Sequence, residues 1–233
     1  MWSVFYLLLI TVVHETSCGY TSGAPCNVRN TALLETRGIW RKPKDAVQCV
    51  DVRSLGNKCV VPEFSELNLA TTLYADHMRL TIVPEFVLVG MPNVHLIDLS
   101  GNLLRKIAKD AFLPYKHLKV LLLGNNRILI PKTTALLNSP SLSSLSLSNN
   151  KIRRLRIKTF SELKNLTTLY LDRNLLQNVR RSVFSGLKHL KYLHLGNNRL
   201  KVLPNVVMLN PKAVLIVKGN PFNSTRIIKP ETL

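Results

Sequence analysis

Histidine and cysteine are the side chains most often used to hold a metal, move a proton or attack an electrophile. This 233-residue sequence has six of the first and four of the second. Their spacing supports none of those uses. His77, His95, His117, His189 and His194 do not recur at metal-ligand intervals, and no CxxC accompanies the cysteines. GxSxG, GxxxxGKS/T, GxGxxG and HExxH are also missing from the chain. His117 and His189 each stand nine residues ahead of a recurring asparagine, which suits a repeated surface position. The chain therefore reads as non-catalytic, with no metal and no cofactor.

Recognition chemistry is better represented. Tyr170, Asp172, Arg173, Tyr192 and His194 lie in two segments 22–24 residues apart, and their mixture of aromatic and charged groups is the composition of binding hot spots. No carboxylate orienter and nucleophile are expected to converge on His194, so the cluster reads as a partner-binding patch for an extracellular protein ligand or receptor.

A second surface is read from charge. Lys and Arg number 32 against 13 Asp and Glu, a net charge of +19. Between Asn93 and Phe222 the imbalance is 22 bases against four acids. Arg153, Arg154, Arg156, Arg180 and Arg181 are its densest part and are expected to meet a polyanion such as a sulfated glycan, or an anionic surface or acidic protein. Nucleic acid is not expected, because the aromatics that interleave with bases in such sites are lacking.

What positions these side chains is a fixed period. Asn102, Asn126, Asn150, Asn174 and Asn198 are 24 residues apart, and around each runs LxxLxLxxNxL: for example Leu118, Leu121, Leu123, Asn126, Ile128, and Leu166, Leu169, Leu171, Asn174, Leu176. Such a period announces a solenoid. In the LxL segment, alternation turns the leucines inward and the residues beside them outward, so each repeat supplies one short strand of a parallel sheet. Each asparagine is expected to turn inward, its amide satisfying backbone groups of its own and neighbouring turns. The outward column reads Tyr74, Asp98, Leu122, Ser146, Tyr170, His194 and Ile216, with a serine floor at Ser143, Ser144, Ser146 and Ser148 between two more varied flanks.

The pattern resembles the leucine-rich repeat family, and the likeness extends to Phe112, Phe160 and Phe184, ten residues after the asparagine. It implies an α/β solenoid, a right-handed superhelix of about seven 24-residue repeats over residues 67–222, including degenerate ends at Met78 and Asn220. Asn220-Pro221-Phe222 resembles the entry to a cysteine-rich C-terminal cap. Only a short tail, 223–233, follows it, without cysteine.

Residues 1–18, with the apolar run Val4–Val13, read as a secretory signal peptide, too short to span a bilayer. The mature chain is accordingly expected to be secreted and extracellular. Cys26, Cys49 and Cys59 fall in an N-terminal cap, 19–66, where a Cys49–Cys59 bridge closing a hairpin from the strand Val47–Val52 is the preferred pairing. Asn165 and Asn223 head glycosylation sequons. Similarity to extracellular leucine-rich repeat proteins and Toll-type receptor ectodomains implies a soluble recognition protein, a decoy or modulator of innate immune signalling. Similarity to small leucine-rich proteoglycans implies instead a matrix component acting through its basic flank.

Overall fold

The computed structural model describes residues 71–83, 92–202 and 213–222, together with the backbone of two strands at 31–33 and 49–51. Nine three-residue strands form one parallel sheet in sequence order. They are β1 (Thr31–Leu33), β2 (Cys49–Asp51), β3 (Thr72–Tyr74), β4 (Leu96–Asp98), β5 (Val120–Leu122), β6 (Ser144–Ser146), β7 (Thr168–Tyr170), β8 (Tyr192–His194) and β9 (Val214–Ile216). Register follows the period: Leu73, Ile97, Leu121, Leu145, Leu169, Leu193 and Leu215 are partners in turn across neighbouring strands. From β3 to β8 the central residue is buried and its two neighbours half-buried, as alternation requires.

The core is one continuous stack of the repeated leucines, with Phe112, Phe160 and Phe184 filling the far side of their coils. Each fully buried leucine contributes about 1.5–3 kcal/mol of transfer free energy, but only when another coil covers it. In the last coil Leu215, Val217 and Phe222 pack against the stack and are only partly buried.

The asparagines close the turns. Asn126 Nδ2 donates to Leu123 O (3.2 Å) and Gly124 O (3.1 Å) of its own coil and to Leu99 O (2.9 Å) of the preceding one, while its Oδ1 accepts from Leu104 N–H (3.0 Å). Asn102, Asn150, Asn174 and Asn198 repeat that arrangement, and Asn220 keeps most of it. The carboxamide fits because it combines two donors and an acceptor in a short plane, and the groups it meets are the backbone carbonyls and N–H groups of the bend, several carbonyls being shared between successive asparagines. The residue just before each ladder asparagine sits in the left-handed region, at φ 53 for Asn125 and Asn149 and φ 66 for Gly101, where glycine and asparagine are the favoured occupants.

Two expectations are corrected. The strand at Cys49 does not open a hairpin, since it pairs in parallel with β1 on one side and β3 on the other, leaving no free edge for an antiparallel return. The α of the expected α/β solenoid is also missing among the described residues: the returns are turns, with one 3-10 turn at Arg181–Val183. Pro114, Pro131 and Pro140 interrupt the two returns that follow Asn102 and Asn126, and the returns that follow Asn150 and Asn174 are turns without any proline. The signal segment, the Cys49–Cys59 bridge, Asn223 and the tail lie outside the described residues.

Candidate functional site

Three consecutive strands, β6 to β8, bring the aromatic and charged residues to one patch of the outward sheet face. Because Tyr170 and His194 are register partners, their rings meet across the ladder at 6.2 Å, and Tyr192 closes on Tyr170 at 5.3 Å. Tyr192 and His194, two apart on one strand, lie parallel at 6.4 Å. Fixed by a rigid sheet, such rings offer contact area at little conformational cost.

Beneath them runs a polar chain that the sequence reading did not foresee. Asp172 Oδ1 accepts from Ser148 Oγ at 2.6 Å, and His194 Nδ1 lies 3.1 Å from the same oxygen. Ser146 Oγ stands 3.4 Å from Ser148 Oγ, and Arg173 Nε is 3.9 Å from Asp172 Oδ2. A carboxylate therefore does converge on His194, contrary to expectation, because Asp172 reaches sideways across one strand spacing. It does not make a catalytic relay: the Ser148 hydroxyl is bound to the carboxylate itself, and His194 Nδ1, shielded from solvent, makes no hydrogen bond in spite of its proximity. What the arrangement does is hold a carboxylate, 14% exposed, under the aromatic pair with its charge compensated by neighbours.

Arg173 occupies the left-handed position ahead of Asn174, at φ 53, where other coils place Asn or Gly. Its side chain is 71% exposed and stands at the rim. Gly196 makes room for the cluster, since a Cβ there would meet Lys218 O at 2.9 Å and the His194 ring at 3.3 Å. Sequence reasoning placed Ser148 in the serine floor and gave Gly196 no role in the cluster. Both share the frame position of Asp172, one repeat before and one after, which was the available signal.

Arg153, Arg154, Arg156, Arg180 and Arg181 are all exposed, on the stretch that leaves the sheet after each ladder asparagine, away from the aromatic cluster. The structure does not gather all five into one column: Arg156 and Arg180 occupy equivalent positions, whereas Arg153, Arg154 and Arg181 each face non-basic equivalents in the next coil. None makes an ion pair among the described residues. Asn165 is exposed, with its Nδ2 donating to Pro140 O at 2.8 Å. An N-linked sugar would leave one amide hydrogen for that bond. Among the described residues no helix is long and apolar enough to cross a membrane, and no three metal-ligating side chains cluster.

A family profile described as leucine rich repeat matches residues 69–128, 116–176, 140–200 and 164–221, together two-thirds of the chain. Among solved structures the chain is similar to a leucine-rich repeat protein of Leptospira interrogans, at 28% identity and a TM-score of 0.60. That likeness covers 75% of this chain and 43% of the other, so the chain spans less than half the length of the protein it matches. No curated protein gives a significant match.

Proposed function

The chain belongs to the leucine-rich repeat family, and from that premise we propose that it is a secreted, non-catalytic recognition protein that contacts a protein partner through Tyr170, Asp172, Arg173, Tyr192 and His194. The supporting observation is the preorganised patch: three packed rings above a carboxylate held by Ser148, with Arg173 at the rim. Side chains already fixed lose less entropy on binding, and a patch rich in Tyr and Arg is where affinity concentrates.

The partner proposed for it is a component of Toll-type innate immune signalling, occupied by this chain as a soluble modulator. This carries the family resemblance one step further and rests on fold analogy. Purified chain added to Toll-pathway reporter cells should change reporter output, and the doubly substituted Tyr170→Ala, Tyr192→Ala chain should not. No change at saturating dose of the unsubstituted chain removes this partner.

A second reading is favoured by the unpaired arginines. Like charges repeated in adjacent coils repel unless an anion bridges them, which suits a matrix protein that engages sulfated glycans through its basic flank. Binding to a glycan array should be lost when Arg153, Arg154, Arg156, Arg180 and Arg181 are replaced together.

A further inference from the structure

We infer that the basic flank takes one linear sulfated polysaccharide laid across the coils, along a column formed by Lys132, Arg156 and Arg180. The inference rests on the basic-flank reading and adds to it an axis and a residue, Lys132.

Each of the three stands six residues after a ladder asparagine, Asn126, Asn150 and Asn174, and so fills one position in three successive coils. Contacts on both sides of that position hold the coils together. Between the coils of Asn126 and Asn150, Ile128 N–H donates to Asn150 Oδ1 (3.0 Å) before the column, and Leu136 N–H donates to Thr159 O (2.9 Å) beyond it. Between the coils of Asn150 and Asn174, Leu175 N–H donates to Ile152 O (2.8 Å) before it, and the Phe160 and Phe184 rings stack at 6.1 Å beyond it. The column is therefore bracketed, and its three residues follow one another along the solenoid.

The two arginines are also held alike. Arg156 O accepts from Thr159 N–H and Arg180 O from Val183 N–H, both at 3.0 Å, so each opens the same tight turn. All three side chains are exposed, and none is paired with an acid among the described residues. The acids of these coils are engaged elsewhere: Asp172 under the sheet-face cluster and Glu162 with Ser161 Oγ at 3.3 Å. Neighbouring strands are about 4.8 Å apart, less than the screening length of about 8 Å in physiological salt, so like charges on successive coils are incompletely screened. A ligand with charge repeated along one axis relieves that repulsion at every coil. Guanidinium supplies two parallel N–H donors to each sulfate. A nucleic acid strand would need rings to stack on, and the rings on this stretch, Phe160 and Phe184, are buried against each other.

The test measures heparin oligosaccharide affinity against salt concentration for the full chain, for Arg156→Ala with Arg180→Ala, and for Lys188→Ala with Lys191→Ala, which removes the same charge off the column. The column variant should lose about tenfold or more in affinity and flatten the salt dependence by roughly one to two charges, while the control loses far less. Equal losses in both variants overturn the column but leave a diffuse basic flank. No retention of the full chain at physiological salt overturns the basic-flank reading as well. Equal affinity for desulfated heparin, single-stranded DNA or anionic phospholipid vesicles overturns the sulfated polysaccharide. Circular dichroism confirms that each variant is folded.

Discussion

The inside of each coil and the sheet face above it are made from neighbouring residues and obey opposite rules. Inward, one residue type recurs at each position: leucine at Leu121, Leu145, Leu169 and Leu193, and asparagine at Asn126, Asn150, Asn174 and Asn198. Outward, the next residue along changes in nearly every coil, from Leu122 to Ser146, Tyr170 and His194. Repetition is needed where each coil must cover and hydrogen-bond the next, since stability in such an array is a sum of neighbour terms. Variation is free where water or a partner is the neighbour. Fold information therefore lies inside, and partner information outside.

The largest effect expected from that division is on the ladder. Asn150→Leu would strand the Ile128 N–H, leave Leu123 O and Leu147 O each with only the neighbouring asparagine's donor, place an apolar side chain among these backbone groups, and should cost about 3–5 kcal/mol in a denaturant titration. A change under about 1 kcal/mol would break the distinction between the two sides. Next comes a pair on adjoining strands. Leu169→Ala, at a fully buried site, should cost about 2–5 kcal/mol, whereas Tyr192→Ala on the face should cost about 1 kcal/mol yet remove partner binding. Similar stability losses for the two would show that the face is structural rather than recognitional.

How legible each side was in the sequence follows from the same division. The period predicted strands, register and ladder because each needs one residue type per coil. The Asp172–His194 contact was hidden, since it depends on how far side chains on two different coils lean toward each other, which spacing does not specify. Ser148 was read as part of a serine floor although its hydroxyl anchors the cluster. The strand Cys49–Asp51 was read as part of a hairpin because alternation identifies a strand but not the direction of its neighbours. The α part of the expected α/β solenoid came from likeness to the family, and among the described residues the returns are turns instead.

A smaller effect sharpens the boundary between the regions. Arg173 belongs to the face by its side chain and to the ladder by its backbone, held at φ 53 without the freedom of glycine. Arg173→Gly should therefore raise stability by up to about 1 kcal/mol while weakening partner binding. A loss of stability would mean that its contact with Asp172 outweighs the strained backbone. The smallest effect belongs to Tyr115, a buried phenol whose ionisation burial pushes up from the ordinary value of 10.0. The folded state resists losing that proton, so stability is unaffected below about pH 10 and declines as pH rises above it. Tyr115→Phe should shallow this alkaline decline, and an unchanged slope would show that the phenol is not the group responsible.

The fold depends most on coils that stack in register at an interval of 24 residues. Ser144 and Thr168 are register partners, and Thr168 is in turn the partner of Tyr192. Full-length chains carrying Ser144→Cys with Thr168→Cys, or Ser144→Cys with Tyr192→Cys, can be mildly oxidised and their cross-linked peptides identified by mass spectrometry. The first pair should form its disulfide, because adjacent strands fall within bridging distance, and the second should not, because a whole coil intervenes. A bridge in the second chain and none in the first would contradict the stacked-coil structure.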